Sequence, residues 1–176
     1  MLRNQYHPSM TSPQAAGRPG SALSRILLAG LLTGIIDGLF ASIQSFFYNS
    51  NPERVFQGVA STLLGPSALD GGARTAAIGL LMHFGVALGW STVFLLLYES
   101  SPRLRSLVQS PLGPLKVAAV YGPFIWLVMS LMVIPLLVHH PTVLRPRWWV
   151  QLIGHIPCVG LPIVSMIGWR DRHPSS

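Results

Sequence analysis

The chain has 176 residues, of which 50% are hydrophobic and only 10% charged, with a formal charge of +7. A soluble globular domain carries ~25% charged residues, so this composition excludes an ordinary water-soluble fold. The twelve Lys and Arg are scattered through tails and loops without interleaved aromatics, which points to membrane flanks and away from nucleic acid.

Residues 1–22 are rich in Pro, Ser, Gly and Gln and read as a disordered polar tail. The first apolar stretch, Leu23 to Tyr48, is long enough to cross a bilayer as a helix. It starts too late and runs too long for a cleavable signal peptide, so it reads as an uncleaved signal anchor. Gly30, Gly34 and Gly38 recur every fourth residue within it, with Asp37 among them. At ~100° per residue, Asp37, Ala41, Gly34 and Gln44 fall within about 40° of Gly30. Ile35, Leu39, Ile43 and Phe46 take the opposite side. One face is small and polar, the other apolar, as expected for a helix between protein and lipid. The glycines are expected to admit a close neighbour, in the same chain or in a second copy forming a homodimer.

Asn51-Pro52 starts a short amphipathic helix over 52–64, with Val55, Phe56, Val59, Ala60, Leu63 and Leu64 on one face. Too short to span, it is expected in the interface or against the bundle mouth. The second span covers about 74–98 and contains His83, Gly85, Gly89 and Trp90, the two glycines being assigned to helix packing. Residues 99–113 read as a polar, Pro-rich loop. The third span covers about 114–138 and is expected to kink at Pro123 and Pro135. The fourth covers about 148–169, bracketed by tryptophans and interrupted by Pro157 and Pro162, and residues 173–176 form a tail.

Four spans put both termini on one side. That side carries Arg3, Arg18, Arg25, Arg103, Arg105, Lys116, Arg170 and Arg172; the other carries Arg54, Arg74, Arg145 and Arg147. The bias predicts cytoplasmic termini. The expected fold is thus all-α: an integral membrane four-helix bundle over 23–172, with an interfacial amphipathic helix between the first two spans.

An ionisable residue at mid-bilayer costs on the order of 3 kcal/mol on insertion scales unless it is paired or hydrated. Asp37, His83 and His155 occupy such positions at similar depths, with Ser130 of the third span at a comparable level. Gln151 shares a face with His155. A bundle could gather these groups in its interior. Three readings are open. In the first, Asp37 accepts a hydrogen bond from a histidine and fixes helix register in a non-enzymatic structural or accessory bundle. In the second, the group forms a functional polar cavity, a proton-linked transport path or a small-molecule site. In the third, His83 and His155 ligate a haem iron in a membrane redox subunit. No metal or other cofactor is expected. Gly-x-Ser-x-Gly, HExxH, paired Cys-x-x-Cys and P-loop signatures are absent, and the single Cys158 rules out an internal disulfide.

The second half resembles the YagU-like family of small bacterial inner-membrane proteins of unknown function. The resemblance rests on LLMHFGVALGWSTVFLLLYE, on MSLMVIPLL with the aromatic residues before it, and on IGHIPCVGLPIVSMIGWRDR, within residues 75–172. It implies a bacterial inner-membrane location and a multi-span fold, and it implies no reaction.

Overall fold

Proline sets where most of the helices begin. It occupies the first or second position of helices α2 (Pro52–Leu64), α4 (Pro102–Gln109), α5 (Gly113–Val128), α6 (Ile134–Val138) and α7 (Pro146–His155). At the free starts of α2, α4, α5 and α7 its missing N–H costs no helical hydrogen bond, and its fixed φ suits the first turn. α6 instead continues the third span, so Pro135 does cost one. The structure, a computed structural model, describes residues 19–172. The expected tails therefore lie outside the described residues at 1–18 and 173–176. Residues 19–22, read as tail, instead begin α1 (Pro19–Phe46). α3 covers Gly72–Ser100 and α8 covers Leu161–Arg172.

The fold is all-α, with no strand among the described residues. Four helices are long and apolar enough to cross a membrane: Ala22–Phe46, Gly72–Ser100, Gly113–Val138 and Pro146–Trp169, with mean hydropathy from 1.7 to 2.1. The third joins α5 to α6 through a π-helical turn at Met129–Val133, and the fourth joins α7 to α8 through another at Ile156–Gly160. Pro135 follows the first π turn and Pro157 lies inside the second. A proline leaves the carbonyl one turn back without its ladder partner, and a widened turn accommodates the ring.

Neighbouring spans are antiparallel. A Cβ at Gly30 would sit 2.9 Å from the Leu88 Cα, and Gly34 backs onto the Phe84 ring. The contacts thus step backward along α3 as they step forward along α1. The glycine ladder brings α1 against α3 of the same chain. Ile35, Leu39, Ile43 and Phe46 are exposed on the far side. Gly85 and Gly89 were also expected to pack, but a Cβ on either would meet nothing within 4 Å. The tightest crossings use other glycines. Gly122 and Gly160 bring α5 against the second π turn, each meeting the other helix's backbone, and Gly79 brings α3 against the Phe56 carbonyl of α2.

One connection differs from its reading as a loop. Residues 102–109 form α4, because the Ser101 hydroxyl caps Leu104 N–H at 3.2 Å ahead of Pro102. α2 packs on α3, burying Gln57 and Ala60, while Leu63 and Leu64 stay exposed. Gln57 binds the Gly72 carbonyl at 3.3 Å, a contact the apolar pattern did not anticipate.

The bundle is solid at one end. Ala29, Phe94, Leu95, Tyr98, Val108, Tyr121, Ile163 and Ile167 belong to one buried cluster in the half that carries α4. Just beyond it the Tyr98 hydroxyl donates to Asp171 at 2.7 Å and Arg25 pairs with Asp171 at 3.2 Å, tying α1, α3 and α8 together. Burial pushes the Asp171 carboxyl up, but the Tyr98 hydroxyl and the Arg25 guanidinium outweigh it and hold the pKa below the usual 3.8. The charged form is therefore the folded form's preference. Its stabilisation is complete above about pH 4 and is lost as pH falls through the lowered folded value. Asp171→Asn should lower the melting temperature in detergent at pH 7, and this loss should shrink as pH falls through the lowered folded value.

Candidate binding cavity

The other half of the bundle is hollow. A cavity of about 660 Å³ lies among α1, α2, α3, α5, α6, α7 and the two π turns. Its walls are mainly apolar, with Phe56, Trp90 and Trp126 among them, and a few polar side chains are set into them. From α1 come Thr33, Asp37 and Ala41; from α3, His83, Gly85, Val86 and Trp90. Trp126 and Met129 face them from the third span, and Arg147, Gln151 and His155 from the fourth. α2 contributes Val55, Phe56, Val59 and Leu63. Asp37, His83, His155 and Gln151 therefore lie on one wall system, and Asp37 and His83 are both close enough to act electrostatically on His155.

These groups do not bond to one another as the register-fixing reading requires. His83 Nε2 lies 3.0 Å from the Gly34 carbonyl, and its ring meets Phe56 and Phe84 edge-on. His155 Nδ1 lies 2.8 Å from the Gln151 carbonyl, with its ring 4.8 Å from that of Trp126. Carbonyl acceptors assign the proton in each case to the nitrogen facing them. Asp37 has neither a hydrogen bond nor an ion pair with a described residue, and its Oδ1 is buried without a partner. Two further buried atoms on lining residues share that condition, Thr33 Oγ1 and Trp126 Nε1.

Ser130 stands apart from the trio. Its hydroxyl accepts from Trp148 Nε1 at 3.1 Å, and its carbonyl accepts from the Thr142 hydroxyl. It belongs to the joint between the third and fourth spans and is not among the lining residues. Gln151 donates its amide to Gln44 Oε1 at 2.8 Å, and Arg147 Nε donates to the same oxygen at 3.3 Å. Arg147 also lies over the Tyr48 ring at 5.5 Å.

Sequence reasoning missed Trp126 and Arg147 as lining residues. Trp126 carried a signal as a tryptophan in mid-span, since a buried indole N–H asks for a partner. Arg147 carried none, because a basic residue before Trp148-Trp149 reads as a membrane flank. Among the described residues no three His, Cys, Asp or Glu side chains form a metal-binding group. Bis-histidine ligation is poorly served, because His83 spends its Nε2 on Gly34.

Fold and cavity define a multi-pass helical bundle with a largely apolar cavity, holding a few polar side chains, between its membrane-spanning helices. No family model, curated protein or solved structure matches the chain.

Proposed function

We propose that the chain is a non-enzymatic membrane protein whose cavity binds a small molecule bearing a cationic or hydrogen-bond-donating group. Asp37 is its counter-group. One observation carries this reading: a carboxylate with no partner among the described residues on the wall of a cavity large enough for a drug-sized molecule. An isolated carboxylate in hydrocarbon costs several kcal/mol, so a site that keeps one suits a ligand that supplies its partner. Thr33 and Trp126 add an acceptor-donor hydroxyl and a donor N–H, and the apolar walls suit a hydrophobic body. We further propose residence in the bacterial inner membrane with both termini cytoplasmic. The excess of Lys and Arg on the terminal side supports that orientation, and the YagU-like resemblance supports that membrane.

A second reading, proton-linked transport, draws on the electrostatic proximity of Asp37, His83 and His155 at one cavity. Both readings give Asp37 the same central role. The register-fixing reading gives it a different one.

Melting temperatures in nanodiscs with octylamine or octanol separate them. Octylamine is expected to stabilise the protein more than octanol, and Asp37→Asn to abolish that difference. Asp37→Asn itself should leave the melting temperature unchanged or raised, because it removes an unpaired charge. A marked drop would restore the register-fixing reading. Retained discrimination between amine and alcohol would remove Asp37 from the site.

A further inference from the structure

We infer that the cavity fills sideways from the bilayer, and that its ligand is an amphipathic amine whose hydrocarbon chain lies in a slit between α3 and α6. This rests on the Asp37 reading and adds the route and the substrate class.

The slit follows from how α3 meets the third span. At the solid end the two touch through large rings: Phe94 on Tyr121 at 4.9 Å, Trp90 on Phe124 at 6.0 Å. Tyr121 locks that contact by donating its hydroxyl to the Trp90 carbonyl at 2.7 Å. These rings hold the helix axes apart. Towards the other end no ring continues the seam. At the middle of α3 the chain offers Gly85, with no side chain to close the gap and nothing within 4 Å of where a Cβ would be. Three aliphatic side chains stand around the gap, each lining the cavity and partly exposed: Val86 is 39% exposed, Leu137 43% and Leu63 60%. They belong to helices that stand in, or pack on, the membrane-spanning bundle, so the rim opens toward acyl chains.

The alternative route, along the bundle axis from water, meets α2, which contacts α1, α3 and α6. α2 lies over that end and turns Val55, Phe56 and Val59 into the cavity. Through the slit, the chemistry grades from aliphatic at the rim to Trp90 and Trp126, and then to Asp37. A membrane amphiphile has that same gradient. The acidic group at the polar end selects an amine over a carboxylate, and the narrow opening at one glycine suits a single chain.

The test compares dodecylamine, whose chain would thread the slit, with hexylamine, which fits inside. Calorimetric dissociation constants are measured in nanodiscs for wild type, Gly85→Phe, Leu137→Phe and Asp37→Asn. Gly85 has open space around it, so the larger side chain fills the slit without displacing backbone. Gly85→Phe is expected to weaken dodecylamine at least tenfold more than it weakens hexylamine, with Leu137→Phe acting in the same direction from the opposite rim. Asp37→Asn is expected to weaken both amines. Unchanged dodecylamine binding in both slit variants overturns the lateral route, while loss of binding in Asp37→Asn would still support the site. Unchanged binding in Asp37→Asn overturns the site reading, whatever the slit variants do.

Discussion

Gly79→Ala is expected to destabilise the bundle by on the order of 3 kcal/mol, while Gly85→Ala on the same helix is expected to be neutral or slightly stabilising. The difference lies in what a single methyl would meet. At Gly79 it would lie 2.7 Å from the Phe56 carbonyl carbon and 3.0 Å from the Ala60 nitrogen. Both are backbone atoms of a regular helix and cannot rotate away. α2 would have to lift from α3, taking with it the Gln57 contact to Gly72 and part of the cavity wall. At Gly85 the same methyl meets nothing within 4 Å, and the helix gains a better helix-forming residue. Unfolding in mixed micelles with increasing SDS, followed by circular dichroism, measures both. Equal effects at the two positions would mean that α2 does not sit on α3.

That contrast also marks how much was legible in the sequence. Four apolar stretches, their limits to within a few residues, and the amphipathic helix at 52–64 all follow from hydropathy and period. These signals are local, and burial in lipid enforces them. The helical face of α1 was legible too, because one periodicity sorts Gly30, Gly34 and Asp37 from Ile35, Leu39 and Ile43. Which glycines make contacts was not legible. Gly85 and Gly89 have the same four-residue spacing as the α1 ladder, yet they face open space. Gly79 and Gly122, which carry no such pattern on their own helices, touch neighbouring backbones. Spacing fixes a face, and only the partner helix decides whether that face is covered.

The polar groups show the same limit. Depth along each span placed Asp37, His83 and His155 near one level. Depth does not set side-chain direction, and each histidine turned to a carbonyl within its own surroundings instead of to Asp37. A backbone carbonyl is present at every turn of every helix, so a histidine always has such an acceptor nearby. An aspartate has no matching local donor in mid-helix, because the N–H groups there are spent on the helix itself. The acid is thus the member of the trio left without a partner. The hollow itself arises from the distribution of bulk. Phe94, Tyr98 and Tyr121 fill one end, while at the other Thr33, Ala41 and Gly85 stand between the larger side chains of the wall and leave volume unfilled.

Gln44→Leu is expected to cost about 2–4 kcal/mol, because one buried oxygen serves two donors, and each orphaned donor costs about 1–3 kcal/mol. Gln44 Oε1 accepts from Gln151 Nε2 at 2.8 Å and from Arg147 Nε at 3.3 Å, joining α1 to α7 at the cavity wall. The two donors fix the orientation of the amide, since flipping it would set an NH₂ against both. That leaves Gln44 Nε2 buried without a partner, so the amide is not the best group for the position. A carboxylate accepts the same two bonds, adds attraction to the Arg147 guanidinium and has no orphan N–H. Gln44→Glu should therefore match or exceed wild-type stability, while Gln44→Leu falls well below it. Removing the facing amide as well, in Gln44→Leu/Gln151→Leu, should recover part of the loss, because a pair of apolar side chains leaves fewer donors unmet. Thermal unfolding of the single and double variants gives the coupling. A double variant no better than the sum of its singles would show that the two glutamines act independently.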